Sequence, residues 1–312
     1  MIWKIFFTFA LSCDFVHQTF ASDGEAWNYE DHGPFLWSQT YPECAGRQQS
    51  PIDLGYFNVT PRKFPSFWFS PHFNSYLPFT LKNNGHTVVG ELAAQVHPTS
   101  ILQLSGGDLP GIFTFTNFHL HWWVQMMTEL IFLPREGSSP TVGSEHTING
   151  LHGAGEAHFV FTNLMTKQVA VLGFFIVVSP DQEQTAWRSY VDNAVTLIRE
   201  GTHFNFMASL MKLMETENNF QDFWRYNGSL TTPPCTEGVI WTIFNSHIKF
   251  SNDELSALSL NVLHKDFRPP QPTYNRIVYH STLTSAVDSL RCFFSWLMLV
   301  SMFFLIRLNS KM

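Results

Sequence analysis

Between residues 22 and 281, apolar and polar positions change over in short runs broken by turn formers, as in Asn83-Asn84-Gly85 and Ser105-Gly106-Gly107-Asp108. That spacing predicts strands with frequent turns rather than long helices. Residues 112–122 alternate, which puts Phe113, Phe115, Asn117, His119 and His121 on one face and Thr114, Thr116, Phe118, Leu120 and Trp122 on the other. Residues 156–160 and 169–178 read as further strands, the second rich in β-branched side chains. Helices are expected over 185–199 and over 252–260, the latter with an Asn cap and early acidic residues. The pattern describes a mainly β (α+β) single domain with peripheral helices.

Composition narrows this. The 312 residues contain no Pro/Gly/Ser-rich linker and no internal repeat, so one large domain is expected. Aromatics make up 16% of the chain and charged residues 14%, too apolar for disorder. A net charge of −7, with no Lys/Arg-rich patch, argues against nucleic acid as a partner.

The two ends read as processing signals. Residues 1–21 combine an early Lys4, an apolar run and small residues near Ala21 and Ser22, the pattern of a secretory signal; a core helix is the alternative. Residues 22–281 form the body, and residues 282–312 a C-terminal hydrophobic segment. Its apolar core, 292–306, would span about 22 Å as a helix against about 30 Å of hydrocarbon. That length suits a glycolipid (GPI) attachment signal with Ser285 and Ala286 upstream. The basic residues in 307–312 suit a single membrane span instead, and a freely secreted form is the third possibility. Either anchor would place the body on the extracellular face of the membrane. Cys44 and Cys235 are the two cysteines of the body; they pair, or remain as two buried thiols. Asn58-Val59-Thr60 and Asn227-Gly228-Ser229 are glycosylation sequons, and Asn58 alone is expected to be used because the second adjoins a candidate active-site loop.

Of the 14 histidines, His119 and His121 stand apart, because a strand period of two puts both imidazoles on one face. His158, within Glu156-Ala157-His158-Phe159-Val160, is the candidate third ligand from an adjacent strand. Three imidazoles with an open fourth position suit zinc, Zn2+, which lowers the pKa of coordinated water to about 7.

The motifs Gln49-Ser50-Pro51-Ile52, Asn84-Gly85-His86, Phe118-His119-Leu120-His121-Trp122, Gly143-Ser144-Glu145-His146-Thr147, Gly228-Ser229-Leu230-Thr231-Thr232-Pro233-Pro234-Cys235 and Phe267-Arg268-Pro269-Pro270-Gln271-Pro272 occur in that order. Together the series resembles the alpha-class carbonic anhydrases, over roughly residues 27–281. The resemblance implies a large, twisted, mostly antiparallel central sheet with zinc at the base of a conical cleft, and reversible hydration of carbon dioxide to bicarbonate and a proton. It implies zinc ligation by His119, His121 and His158, with Glu156 and Asn117 as hydrogen-bond partners of the ligands. Asn117 replaces a longer Gln, so its reach is shorter by one methylene. Thr231 and Glu145 match the pair that orients the hydroxide nucleophile, the carboxylate accepting the Thr hydroxyl proton. His86 matches the proton shuttle, a role suited to imidazole at neutral pH. Val160, Val171, Leu230, Thr231, Thr232, Val239 and Trp241 match the substrate pocket, and Tyr29 the cleft wall. Cys44 and Cys235 match the disulfide of exported members.

The expected partners are therefore carbon dioxide, water and bicarbonate, with a membrane reached only through the C-terminal anchor, and the chain is expected to be a monomer. One departure is the segment between His121 and Glu145, 122–144, longer than the family's and holding Met126, Met127 and Leu130 to Leu133. It reads either as a lip beside the cleft or as retained non-coding sequence. The competing reading is a non-catalytic, carbonic-anhydrase-related extracellular binding domain; the full ligand set, with Glu145, Thr231 and His86, speaks for the enzyme. A zinc peptidase would need His-Glu-x-x-His on a helix, and the chain has none.

Overall fold

A computed structural model describes residues 27–55, 59–96, 101–122, 143–179, 185–214, 220–261 and 266–281. The expected signal, the C-terminal hydrophobic segment, Asn58 and residues 123–142 of the long segment lie outside them. Among the described residues no helix is long and apolar enough to cross a membrane.

The strands are β1 (Asp53–Leu54), β2 (Thr60–Pro61), β3 (Phe67–Phe69), β4 (Leu77–Asn83), β5 (Val88–Leu92), β6 (Gln103–Gly106), β7 (Phe113–Trp122), β8 (Thr147–Ile148), β9 (Leu151–His152), β10 (Gly155–Thr162), β11 (Val169–Val178), β12 (His203–Ala208), β13 (Phe223–Ser229), β14 (Glu237–Phe250) and β15 (Tyr279–His280). Among the described residues four α-helices accompany them, α1 (Trp37–Thr40), α2 (Arg188–Ala194), α3 (Leu210–Leu213) and α4 (Asn252–Asn261), with two short 3-10 turns at Pro42–Ala45 and Pro71–Asn74. A 12-stranded sheet runs β12-β4-β5-β7-β10-β11-β14-β13-β15-β2, with β6 bridging β7 to β3. Its pairings are antiparallel except β11–β14 and β15–β2. The mostly antiparallel sheet is thus observed, and β1, β8 and β9 form a small second one.

The face assignment of β7 needs one correction. Pairing of β7 with β10 shifts by one residue between Val160 and Phe161, so that Val160 faces Asn117 while Phe161 faces Phe115. Thr116 is the extra residue of a β-bulge, and a bulge reverses the side-chain alternation beyond it. Phe113 and Phe115 therefore join Phe118, Leu120 and Trp122 in one core cluster, opposite Asn117, His119 and His121. Burying five aromatic or aliphatic side chains from one strand stabilises by roughly 1.5–3 kcal/mol each, and this holds the register that aims the histidines.

Phe118 is the hub of that core, its ring centred 5.7 Å from Trp187, 5.8 Å from Phe79 and Phe159 and 5.9 Å from Tyr190. Gly90 of β5 makes room for it: a Cβ there would stand 2.4 Å from the Phe118 ring.

The helices also differ in detail from expectation. α2 stops at Ala194, short of residue 199, because Asn193 Nδ2 donates to Ser189 O and Thr196 Oγ1 to Asn193 O, side chains competing for carbonyls at the helix end. α4 is capped by Ser251 rather than Asn252. Glu254 N–H donates to Ser251 Oγ at 3.2 Å while Ser251 N–H donates to Glu254 Oε2 at 2.8 Å, a reciprocal capping box.

Cys44 and Cys235 are joined in a disulfide with a Cα–Cα distance of 4.9 Å. It closes 191 residues of chain, about 5 kcal/mol in the chain-entropy account. The bridge fastens the Thr231–Pro234 loop to the N-terminal segment.

A candidate three-histidine metal centre beside an apolar patch

The β7–β10 register builds the centre. His158 lies directly opposite His119, and Glu156 directly opposite His121. Ring centroids are 5.1 Å apart for His119–His121, 5.3 Å for His119–His158 and 4.7 Å for His121–His158. One nitrogen from each falls within 4.8 Å of the others.

The hydrogen bonds decide which nitrogen each ring turns inward. His119 Nδ1–H donates to Asn117 Oδ1 at 3.0 Å, His121 Nδ1–H to Asp266 O at 2.5 Å, and His158 Nε2–H to Glu156 Oε1 at 2.8 Å. Lone pairs are left on His119 Nε2, His121 Nε2 and His158 Nδ1. Asn117 thus reaches its ring although it is shorter than Gln. Such outer bonds fix tautomer and ring orientation in metal sites.

The donor set fits a small cation of zinc's preferences. His121 Nε2 is fully buried without a hydrogen bond, facing the Glu145 carboxylate at 3.5 Å, and a cation between the rings would satisfy both groups. Burial, with His121 and His158 close by, holds His119 well below the usual histidine range, so it stays neutral and able to ligate. The group His146, Glu156 and His158 also clusters, but there both histidines already donate to the Glu156 carboxylate and the other ring nitrogen of His146 is hydrogen-bonded to Tyr226. His146 Nδ1–H and N–H donate to the two Glu156 oxygens at 2.7 Å each. Burial opposes the charge on Glu156, yet His146 and His158 outweigh it and hold the carboxyl well below its usual range.

This network was missed in reading the sequence. His146 Nε2 accepts from the Tyr226 hydroxyl at 2.7 Å, and Tyr226 is hydrogen-bonded to Ser50 Oγ at 2.8 Å. The signal in the sequence is position alone: His146 follows Glu145, and Ser50 lies in Gln49-Ser50-Pro51-Ile52. Arg268 is a second residue of this network that no local pattern marks. It is buried and its guanidinium donates to Gln49 Oε1, Ser50 O and Cys44 O. Burial lowers its pKa to about 10 although Glu145 raises it.

Glu145 is fully buried beside the rings, its Oε2 3.5 Å from His121 Nε2 and 3.9 Å from His158 Nδ1. The expected hydrogen bond from Thr231 is not made in this structure. Oε1 is taken by the Arg268 backbone N–H at 2.9 Å, and Oε2 turns to the imidazoles without a hydrogen-bond partner. Thr231 is buried on the loop that the disulfide holds, and Thr232 beside it is partly exposed.

The expected pocket residues come together. Val171, Val239 and Trp241 are buried in one cluster, with Val160 and Leu230 packed against it, and the Trp241 ring is 4.9 Å from His158. Tyr29 is buried against Trp37, on the same apolar cluster as the disulfide. His86 sits in the β4–β5 turn, where its N–H donates to Asn84 Oδ1 at 2.9 Å. Its ring stacks on Trp27 with centroids 3.6 Å apart, a partner not foreseen. Burial lowers the His86 pKa, and Glu200 works the other way.

A mostly antiparallel sheet presenting three converging imidazole lone pairs beside an apolar patch defines a protein with a three-histidine site that could hold a metal ion. The profile of the family described as eukaryotic-type carbonic anhydrase matches residues 32–282. Carbonic anhydrase 3 of Homo sapiens is 31% identical over 278 residues, covering 81% of this chain and 96% of that protein. Carbonic anhydrase 3 of Sus scrofa is 33% identical over 279 residues, and carbonic anhydrase 6 of Homo sapiens 29% over 262, the latter covering 78% of each chain. The chain belongs to the eukaryotic-type carbonic anhydrase family, a family of enzymes.

Proposed function

We propose that the protein catalyses the reversible hydration of carbon dioxide to bicarbonate and a proton, with zinc held by His119, His121 and His158. The observation that carries this is the set of three inward lone pairs, one of them on a buried nitrogen that makes no hydrogen bond. Bound there, zinc supplies deprotonated water at neutral pH. The residues of the chain do the rest. Val160, Val171, Leu230, Val239 and Trp241 offer the apolar substrate a dry surface beside the rings. The Thr231 hydroxyl orients the nucleophile, and Glu145 Oε2 is the acceptor open to that hydroxyl. Such positioning requires the carboxylate to turn from the imidazoles toward the loop. Thr232, the neighbour on the same loop, offers a second hydroxyl to product bicarbonate. His86 carries the released proton to buffer, its ring steadied against Trp27.

Export of the domain is part of the reading. Its support is the Cys44–Cys235 bridge, since such disulfides persist in oxidising compartments. Residues 1–21 would be the signal and 282–312 the anchor-directing segment, a GPI signal in preference to a single span. Asn58 would carry a glycan, and the domain would work as a monomer on small molecules.

Two variants test the activity. His119→Ala should lose most bound zinc and nearly all hydration. Thr231→Ala should keep zinc and lose on the order of 10²-fold in kcat/KM, the scale of a misplaced reactant. A stoichiometric zinc protein without hydration activity would favour the non-catalytic binding domain instead.

A further inference from the structure

We infer that Asn227 is a glycan attachment site, occupied while the chain is being exported and carried on the face of the sheet turned away from the metal centre. The proposal rests on the export reading above, and it departs from the expectation that Asn58 alone would be used.

Asn227-Gly228-Ser229 adjoins the Leu230–Thr232 loop in sequence, which suggested interference with the cleft. Strand geometry removes the objection. Side chains on neighbouring strands share a face when their residues pair directly. Asn227 pairs with Ile240, and Tyr226 pairs with Trp241. Trp241 and Tyr226 lie on the imidazole side, with ring centroids 5.0 Å and 5.8 Å from His146. Ile240 belongs to the opposite core, with Phe118 and Leu120. Asn227 therefore projects away from the metal-facing side.

It is also accessible. Asn227 is the exposed residue in a strand otherwise buried from Phe223 to Ser229. β15 covers β13 only at Trp224 and Arg225, so past Arg225 no described strand lies along its outer side. The contact reaching Asn227 there is Arg276 Nη1, which donates to the backbone carbonyl at 3.3 Å and leaves the side-chain amide free to carry a sugar.

The sequon's third residue sets the timing. Ser229 is fully buried, its Oγ accepting from Ser50 N–H at 2.9 Å and donating to Leu230 O at 2.7 Å. A transferase that must reach this hydroxyl can do so only before β13 closes on the Gln49–Ser50 segment. Attachment thus precedes folding. In the step, the Asn227 amide nitrogen bonds to the anomeric carbon of a lipid-diphosphate-linked oligosaccharide. The bond from that carbon to the diphosphate oxygen breaks, the lipid diphosphate leaves with the electron pair, and one amide proton goes to solvent.

The test uses the full chain with Asn58→Gln, so that 227 is the remaining sequon, made in a eukaryotic secretory host. Molecules with the Cys44–Cys235 bridge intact are selected, since the bridge marks passage through an oxidising compartment. Glycan-releasing amidase in heavy-oxygen water, followed by peptide mass spectrometry, should find position 227 converted to labelled Asp. Adding Asn227→Gln should remove one glycan from the intact mass and leave hydration unchanged. Bridged protein with unmodified Asn227 would overturn the proposal. Protein with both cysteines free would overturn it too, by removing the export reading, and the bridge assay separates that failure from the first.

Discussion

The backbone N–H of Arg268 donates to Oε1 of Glu145 at 2.9 Å, across 123 positions of the chain. This bond commits one carboxylate oxygen and leaves the other for the active site. The Arg268 side chain meanwhile ties Gln49, Ser50 and Cys44 together. A single residue thus joins the first, fourth and last of the family motifs to the disulfide.

Removing that joint should be costly. Arg268→Met leaves three buried acceptors without a donor, and each unsatisfied group costs roughly 1–3 kcal/mol. We expect a stability loss of at least about 3 kcal/mol in urea unfolding, with Arg268→Lys recovering only part because one ammonium cannot reproduce the fork. A loss under about 1 kcal/mol for Arg268→Met would contradict this role.

Asn117 is the chain's own solution to orienting His119. Since the bond is made at 3.0 Å, Asn117→Ala should free the ring and weaken metal retention by roughly 10–100-fold, the usual scale for such partners. Competition with a chromophoric chelator reads this directly. Unchanged retention would mean that packing alone aims the ring.

The turn carrying His86 makes a pH prediction. Burial lowers the His86 pKa, so the neutral, proton-accepting form persists to lower pH than for a free histidine, and Glu200 opposes the shift. A Cβ on Gly85 would stand 3.3 Å from Glu200 Oε2, so this carboxylate lies against the same turn. Removing it in Glu200→Gln withdraws stabilisation from the imidazolium and lowers the pKa further. The rising limb of kcat against pH, measured in dilute buffer, should therefore move to lower pH, and the difference should shrink in high salt. A limb that stays put or moves upward would disconnect Glu200 from the shuttle.

Much of this was legible in advance, for identifiable reasons. His119 and His121 could be paired because strand alternation is local, and strand β11 was read with its true bounds, 169–178, from its β-branched run. The bulge at Thr116 was not legible. Alternation in 112–122 looks unbroken, and only pairing with β10 reveals that Phe115 and His119 face opposite ways. The Ser251–Glu254 box was readable from its spacing, but the neighbouring Asn252 drew the cap assignment. The Ser50–Tyr226–His146–Glu156 chain joins residues distant in sequence, and no local pattern announces a hydrogen bond of that kind.

The central claim, that three imidazoles hold a catalytic zinc, is tested most directly by one paired measurement. Zinc content and carbon dioxide hydration are followed on the same purified protein through chelation and stepwise return of zinc. The account predicts that hydration disappears with the metal and returns in proportion to it, saturating at one zinc per chain. Hydration that persists after complete removal of zinc, or a protein restored to one zinc per chain that hydrates no carbon dioxide, would contradict it.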